Sequence, residues 1–248
     1  MTSGIATISY DRLIASTDLR KKFDLFLNLL LERNRQMNLT AIREEDAVRE
    51  KHFADSLAVT LWDKWPEYTQ GKKILYLGTG GGFPGLPIKI ACPDTDITML
   101  DSVRKKLGFI GDVIEEIELS GARTLWSRAE DAGRDGDHRA AYDLVVSRAV
   151  AYLPSLIECA VPFLKEGGYF IAYKQAENEQ EITDSKAALN ALNAEIEQII
   201  PYDIAGDANG SRNLVIIRKT GPTPQRYPRR AGAHGKRRRL HLHGRHYH

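Results

Sequence analysis

The chain has 248 residues, of which 42% are hydrophobic and 27% charged, with a formal net charge of +2. That length is enough for one sizeable core, and no apolar run approaches the ~20 residues that a membrane span requires. The N-terminus lacks the basic and then apolar pattern of a signal peptide, so we expect a cytoplasmic protein with no membrane partner. Neither cysteine, Cys92 or Cys159, has a Cys or His at metal-binding spacing, and no metal site is predicted.

An N-terminal helical cap is predicted over residues 1–66. Apolar residues recur with helical spacing between residues 18 and 36, and a helical pattern resumes between residues 43 and 59. The segment 38–42 interrupts the two helices and is expected to connect them.

A core of alternating strands and helices is predicted over residues 67–219. The alternation favours an α/β fold with a mostly parallel sheet covered on both faces. The last two strands lack a clear helix between them, so we expect an antiparallel hairpin at one edge of the sheet. The predicted strands are 74–77, 97–100, 123–126, 142–146, 169–173, 196–200 and 214–218, and the predicted helices are 84–91, 103–119, 153–164 and 182–192.

A basic, flexible tail is predicted over residues 220–248. It holds 8 of the 35 Lys and Arg residues and no acidic residue, which leaves 27 basic and 33 acidic residues, a net charge of −6, in the preceding chain. An acidic body with a basic tail favours contact with a nucleic acid, and a disordered tail without a role is the alternative. From Pro222 onward, the density of Pro, Gly and Arg predicts no packed structure.

A glycine-rich turn joins the first strand of the core to the first helix. Residues 78–85 read Gly-Thr-Gly-Gly-Gly-Phe-Pro-Gly, and glycine permits positive φ and a close approach of the backbone to a ligand. The dinucleotide fingerprint needs glycine where this chain has Phe83, and the Gly-Lys-Ser/Thr of a P-loop is absent. The turn therefore favours a ligand without pyrophosphate, such as S-adenosylmethionine, over the alternative of a merely tight turn.

Polar residues after the next two strands extend this ligand site. Asp101 ends the second strand, 23 residues after Gly78, where a carboxylate can accept both ribose hydroxyls. Its alternative role is that of a helix N-cap. Ala129 and Glu130 follow the third strand, where a backbone N–H and a carboxylate match the edge of an adenine, unless the segment is a solvated loop.

Arg148 follows the fourth strand. Ligands in open α/β sheets lie outside the carboxyl ends of the strands, which makes Arg148 a candidate for the same site. The alternative is a salt bridge from Arg148 to Asp101, Glu130 or Asp143.

Seven short motifs occur in order between residues 34 and 174. They are Asn34 with Met37-Asn38-Leu39-Thr40-Ala41-Ile42, His52-Phe53-Ala54-Asp55-Ser56-Leu57, the turn 78–85, Leu100-Asp101-Ser102 with Lys105-Lys106, Arg128-Ala129-Glu130, Ser147-Arg148-Ala149, and Lys174. Each motif is weak alone, but the combination is specific. The chain resembles the bacterial RsmG (GidB) family, which uses S-adenosylmethionine to methylate guanine N7 in 16S ribosomal RNA.

The resemblance implies a Rossmann-like methyltransferase fold and a monomer that acts on 16S ribosomal RNA or the small ribosomal subunit. It also implies that Asp101 binds the ribose of the donor and that Arg148 fixes both the donor and the surroundings of a flipped guanine. The remaining implied donor contacts are Gly78, Phe83, Ala129 and Glu130, to which we add Gly80. Our hypothesis for the base side is that it is lined by Asn38, His52 and Lys174.

Phosphate contacts with RNA are expected from lysines and from the basic tail. The lysines are Lys72, Lys73, Lys105 and Lys106, of which the last two equally fit an exposed helical face.

Two features depart from the family pattern. Tyr76 stands two residues before the first loop glycine, where the family usually has an acidic residue, and four of the 7 histidines lie in the last eight residues. Two alternatives therefore stay open: a methyltransferase of the same fold with another substrate, and a non-catalytic RNA-binding module with an impaired donor site.

Overall fold

A computed structural model describes residues 5–148, 151–208 and 210–230 of the chain. Within these ranges, eight strands form one sheet. The strands are β1 (Ala6–Ile8), β2 (Lys73–Leu77), β3 (Asp96–Asp101), β4 (Ala122–Trp126), β5 (Tyr142–Ser147), β6 (Leu164–Gln175), β7 (Ala194–Ile204) and β8 (Arg212–Lys219). Their order across the sheet is β1-β7-β8-β6-β5-β2-β3-β4.

Helices cover both faces of the sheet. The helices are α1 (Tyr10–Leu13), α2 (Thr17–Met37), α3 (Glu45–Val48), α4 (Gly85–Ala91), α5 (Arg104–Glu116), α6 (Ala129–Ala132), α7 (Leu153–Ala160), α8 (Glu179–Asp184) and α9 (Lys186–Leu192). A π-helical segment, Arg49–Ala54, directly continues α3, and 3₁₀ turns follow at Leu57–Leu61 and Trp65–Tyr68. Among the described residues, every helix is too short or too polar to cross a membrane.

The direction of the strands brings several carboxyl ends to one edge of the sheet, which we call the ligand-binding edge because of its expected role. β2 pairs in parallel with β3 on one side and with β5 on the other, and only after β4 does the chain return to add β5. The carboxyl ends of these strands therefore lie at one edge, with the reversal of strand order between β2 and β5, where open α/β sheets bind ligands. The expected α/β fold with a mostly parallel sheet is confirmed.

Alternate residues of the central strand pack into two hydrophobic layers. Ile74 and Tyr76 of β2 belong to the layer that holds α2, α4 and α5, whereas Leu75 and Leu77 pack with α7 and α9 on the opposite face. Each such side chain contributes about 1.5–3 kcal/mol by its burial. The N-terminal helices thus share one continuous core with the sheet.

The edge of the sheet differs from the expectation at one end. The predicted antiparallel hairpin is confirmed as β7 and β8, but β1 pairs in parallel with β7 and forms the outermost strand. A strand of three residues shows no usable periodicity, and its partner lies almost 200 residues further along the chain. The prediction that the hairpin itself is the edge was wrong for this reason.

The segment 222–230 packs on the protein, so the expectation of unpacked chain from Pro222 onward is wrong for these residues. The Arg139 guanidinium donates hydrogen bonds to the carbonyl oxygens of Thr223 and Tyr227, at 2.9 and 2.7 Å. The Arg229 guanidinium binds both carboxylate oxygens of Glu158. The residues of each pair are far apart in the sequence, so no local sequence pattern predicts these contacts. The remainder of the predicted tail, 231–248 with its histidines, lies outside the described residues.

Candidate active site

The glycine-rich turn leaves β2 and approaches α4. At Gly80, φ is +53° and an added Cβ would meet nothing within 4 Å, so the backbone is open to a ligand at this point. At Gly85, an added Cβ would lie 2.7 Å from Cδ1 of the buried Tyr76 ring. One glycine therefore opens the turn and the other lets α4 pack against the strand. The helix begins at Gly85, one residue after the expected Pro84.

The buried side chain of Tyr76 supports the glycine-rich turn from the protein interior. Its side chain is buried, and its hydroxyl is 3.3 Å from the carbonyl oxygen of Gly78 and 3.4 Å from that of Thr79, so its proton is shared between two weak hydrogen bonds. Burial raises the pKa of the Tyr76 phenol well above its usual value. The residue in the usual acidic position is thus a neutral support that points into the protein.

Asp101 connects the turn to β3 and to the start of α5. One carboxylate oxygen accepts hydrogen bonds from Gly80 N at 3.1 Å and Thr79 Oγ1 at 3.3 Å, and the other accepts one from Val103 N at 2.8 Å. The carboxylate therefore stabilises local structure on both sides. Because a carboxylate has about four acceptor sites, it retains capacity for a ribose hydroxyl.

Five residues from distant parts of the chain form a charged cluster behind Arg148, which we call the Arg148 cluster. Arg148 Nη1 lies 2.7 Å from Asp55 Oδ2. The other Asp55 oxygen is 2.9 Å from Arg212 Nη1 and accepts the Tyr202 hydroxyl proton at 2.7 Å. Arg148 Nη2 donates to His52 Nδ1 at 3.2 Å. Arg148 therefore forms an ion pair, as the alternative interpretation expected. Its partner, however, is Asp55, which is not one of the three carboxylates considered from the sequence.

The charges in this cluster have opposite effects on its two titratable neighbours. Burial alone would raise the pKa of the Asp55 carboxyl, but the guanidiniums of Arg148 and Arg212 outweigh it and lower that pKa, so Asp55 stays ionised. Burial, aided by the charge of Arg148, lowers the pKa of His52 to about 3. His52 is therefore neutral at physiological pH. Because its Nδ1 accepts from Arg148, Nε2 carries the proton and donates to Thr40 Oγ1 at 2.6 Å.

Phe83 joins the turn to the Arg148 cluster. Its ring stacks on the His52 imidazole with centroids 4.5 Å apart, and Cζ of Arg148 lies 5.1 Å from the ring centroid. The ring is 5% exposed because Phe26 also packs against it. Phe83, His52 and Arg148, three residues expected in the site, are thus in mutual contact. His52 lies in the π-helical segment, a distortion often found at functional sites.

Asn38 directly precedes a residue whose backbone lies against the glycine-rich turn. It is an exposed residue with φ of +48° that ends α2, and the carbonyl oxygen of the next residue, Leu39, lies against Gly81. The buried Asn34 side chain holds this segment by exchanging two hydrogen bonds with the Thr40 backbone, at 2.9 and 3.0 Å. The connection between the first two predicted helices is therefore part of the wall of the site.

The other expected site residues have contacts outside the Arg148 cluster. The Lys174 ammonium binds Glu181 at 2.6 Å and donates to the carbonyl oxygen of Ala151 at 2.8 Å. Ala129 and Glu130 open the short helix α6 after β4, and Ala129 packs in the hydrophobic layer that contains α7, on the opposite face of the sheet. The structure therefore places these three at the same edge as the turn, but with different neighbours from Arg148.

The four lysines expected to bind RNA lie at opposite ends of the sheet. Lys72 precedes β2 and Lys73 begins it, whereas Lys105 and Lys106 lie in the first turn of α5, next to Asp101. At about 3.3 Å per residue, the length of β2 places the first pair roughly 13 Å from the turn. The four lysines therefore do not form one patch around the candidate site.

Several residues of the site have no role that was predicted from the sequence. Asp55 and Thr40 lie inside two of the motifs that support the family resemblance, but no role was predicted for either. Arg212 and Tyr202 lie on β8 and β7 outside all of these motifs. Only the folded chain brings them to Asp55.

The strand order, the open glycine turn and Asp101 beside it fit an adenosine-containing ligand without pyrophosphate. They define the class of the protein as a Rossmann-like S-adenosylmethionine-dependent methyltransferase. The family pattern for "rRNA small subunit methyltransferase G" matches residues 19–215. The chain therefore belongs to this family, and the resemblance indicated by its motifs is confirmed.

Curated relatives agree over most of the chain. A ribosomal RNA small subunit methyltransferase G from Desulfitobacterium hafniense (strain Y51) is 43% identical over 222 residues, which is 90% of each chain. A protein of the same name from Clostridium botulinum (strain ATCC 19397 / Type A) is 44% identical over 207 residues, which is 84% of this chain and 85% of the relative.

Solved structures with little sequence similarity share the fold. TrmN from Thermus thermophilus superposes with a TM-score of 0.52 at 14% identity, over 69% of this chain and 53% of that chain. A branched-chain polyamine synthase mutein from Thermus thermophilus, in complex with N4-aminopropylspermidine and 5'-methylthioadenosine, gives a TM-score of 0.58 at 14% identity, over 87% of this chain and 67% of that chain. At these identities the comparison concerns the fold alone.

Proposed function

We propose that this protein transfers the methyl group of S-adenosylmethionine to N7 of a guanine in 16S ribosomal RNA. The observation that carries the proposal is the contact of Phe83, in the glycine turn, with His52 and Arg148. In a member of this family, that contact joins the donor side of the site to the side assigned to the base. We expect the enzyme to act as a monomer in the cytoplasm.

The donor side consists mainly of backbone and one carboxylate. Gly78 and Gly80 would hold the donor through the open turn, and Asp101 would accept its ribose hydroxyls. Ala129 and Glu130 would meet the adenine edge from α6. When bound, S-adenosylmethionine supplies an electrophilic methyl group on a sulfonium.

The base side needs orientation and no general base. Guanine N7 carries a lone pair outside the aromatic sextet and attacks without losing a proton. The neutral His52 fits this chemistry, because no proton has to be taken up or released by it at physiological pH. Alignment alone can contribute up to ~7–11 kcal/mol of barrier reduction. Arg148, fixed by Asp55, is proposed to align the base together with His52, Asn38 and Lys174, and the base must be splayed out to reach them.

The test of this site is Arg148→Lys. A lysine preserves the charge that faces the buried Asp55, whereas Arg148→Ala would leave that carboxylate with one partner fewer and confound activity with stability. We expect methylation of small ribosomal subunits to fall by about 100-fold or more, because an ammonium cannot reproduce the planar donors of a guanidinium. Thermal unfolding of the variant checks the fold, and full activity in a folded Arg148→Lys protein would refute the assignment.

The alternative of an impaired donor site is tested by calorimetry with S-adenosylmethionine. We expect binding, because Tyr76 supports the turn and leaves Gly80 and Asp101 in place. An absence of detectable heat and of a thermal shift would favour a non-catalytic RNA-binding module. Methylation measured on small subunits, free nucleosides and proteins then separates the proposed substrate from other substrates of the same fold.

The basic tail is proposed to add affinity for RNA through phosphate contacts. Because 222–230 is packed, the informative truncation ends after Arg230 and removes the five Lys and Arg residues of 231–248. We expect weaker RNA binding and a shallower dependence on salt, by up to about 3.5 in the slope of log K against log salt for a single strand. An unchanged slope would show that residues 231–248 do not contact RNA phosphates.

A further inference from the structure

Trp126 is an exposed tryptophan at the ligand-binding edge of the sheet. It is the last residue of β4, and its side chain is 60% exposed, whereas Trp62 and Trp65 are 1% and 4% exposed. Its Cα is paired in the sheet with that of Asp101, the candidate ribose ligand, one strand away. Tryptophan is enriched at binding interfaces, because its ring combines a large apolar face with a polar N–H.

Two contacts hold the indole ring in a fixed orientation. Its Nε1 donates a hydrogen bond to the carbonyl oxygen of Ser102 at 3.2 Å, and Cζ of Arg104 lies 5.1 Å from the ring centroid. The neighbouring Val103 is also exposed, at 39%. The ring is therefore ordered before any ligand arrives, which lowers the entropic cost of stacking on it.

The side chains around Trp126 are positively charged, which favours binding of a polyanion. Arg104, Lys105 and Arg128 are exposed, and within the described part of the chain none of them forms an ion pair. Arg123, on the same strand as Trp126, is instead paired with Asp96 at 2.7 Å. Unpaired cations around an exposed aromatic ring are the pattern of single-stranded nucleic-acid binding, in which bases stack and cations contact phosphates.

The position of Trp126 separates it from the proposed donor contacts. β4 is the outermost strand, and the Asp101 carboxylate is directed toward the turn that follows β2, on the other side of β3. Alternate residues point to opposite faces of a sheet. Leu125 packs in the layer that contains Ala129, so Trp126 faces the opposite side, where α5 lies. A base stacked on Trp126 would therefore lie beside the donor and outside its proposed pocket.

We propose that Trp126, with Arg104, Lys105 and Arg128, is a stacking platform for an unpaired nucleotide of the RNA substrate next to the target guanine. This inference rests on the proposed RNA substrate and adds a surface for it. The platform would hold the strand beside the site while the target base enters it. It would contribute to RNA affinity and leave the transfer step itself unchanged.

The first test is the intrinsic fluorescence of the wild-type protein, because Trp126 is the exposed one of the 3 tryptophans. We expect transcribed 16S ribosomal RNA at saturation to protect the emission from acrylamide quenching, and S-adenosylmethionine alone to leave quenching unchanged. Trp126→Phe, which lacks the exposed fluorophore, supplies the control. Quenching that RNA leaves unchanged, or that the donor alone suppresses, would overturn the proposal.

The second test compares affinities. We expect Trp126→Ala to weaken RNA binding by about ten-fold, and Trp126→Phe to stay within about three-fold, because phenylalanine retains a stacking face. Ile199→Ala, another exposed apolar residue at 37% on a distant strand, is the matched control and should have no effect. The KM for RNA should rise in Trp126→Ala while kcat stays unchanged.

The outcomes separate this proposal from the proposed function. If Trp126→Ala binds RNA within two-fold of wild type, or loses donor affinity in step with RNA affinity, the platform is refuted. If wild-type protein fails to methylate guanine N7 but still loses RNA affinity on Trp126→Ala, the platform stands and the proposed reaction falls.

Discussion

At the ligand-binding edge, the glycine turn is one contiguous stretch, whereas the Arg148 cluster draws on four separate parts of the chain. The turn is held by backbone groups and by Asp101, and it leaves Gly80 open. The cluster is held by ionised side chains around the buried Asp55. The two regions meet at Phe83.

This difference determines how each region responds to change. A contiguous turn depends on local conformation, so its weak points are steric. A buried set of charges depends on balance, because removal of one partner leaves the others without compensation in a region of low dielectric. Substitutions at the cluster should therefore lower the free energy of unfolding more than substitutions at the turn. A dependence of that loss on pH is expected only at the cluster.

The largest effect is expected for Asp55→Ala. Arg148 and Arg212 would lose their shared carboxylate, and two like charges would remain near each other, at a cost of about 3–5 kcal/mol in the free energy of unfolding. Asp112→Ala, which breaks a solvent-exposed pair with Arg33, is the control and should cost at most about 1 kcal/mol. Urea unfolding measures both variants. An equal loss of unfolding free energy in both variants would show that the buried ion pairs stabilise the fold no more than the exposed pair does.

An intermediate effect is expected for Gly85→Ala. The new Cβ would lie 2.7 Å from the Tyr76 ring and 3.1 Å from Met99 Sδ, and overpacking of this kind costs about 1–3 kcal/mol. Gly108→Ala is the matched control, since an added Cβ in α5 meets nothing within 4 Å. That variant should gain up to about 1 kcal/mol from helix propensity. A Gly85→Ala protein as stable as wild type would show that α4 can shift away from the strand.

The smallest effect near neutral pH is expected from titration of His52, whose influence grows only as the pH falls. Its pKa of about 3 in the folded protein is below the usual value of about 6.5, so the unfolded chain binds the extra proton between these values. Stability contributed by neutral His52 is therefore fully present above about pH 6.5 and declines as the pH falls toward 3, by at most about 1.4 kcal/mol per pH unit.

His52→Gln should remove this contribution, so its stability should fall less steeply than that of wild type between about pH 6.5 and pH 4.5. Urea unfolding at several pH values measures the two slopes. In the wild type, the imidazole resonance of His52 should not titrate near pH 6.5 by NMR. A resonance that does titrate there would show that the imidazole is solvated and that its contact with Arg148 is weak.

The two regions also differ in what could be predicted. The turn 78–85, the strand before it and Asp101 after the next strand were identified from local pattern, because glycine content and hydrophobic runs report backbone conformation directly. His52 and Arg148 were expected in the site through the family motifs. Their mutual contact, and their shared dependence on Asp55, could not be read from spacing.

Local sequence patterns were sufficient to predict the α/β alternation, the glycine turn, the carboxylate after the second strand of the core and the family. These are properties of contiguous residues, for which periodicity and turn chemistry are local physical signals. Long-range packing, in contrast, places β1 at the edge of the sheet, packs 222–230 on the protein and makes Asp55 the partner of Arg148. Contacts between residues far apart in sequence depend on the energy of the whole packed core, and no short window of residues contains that information.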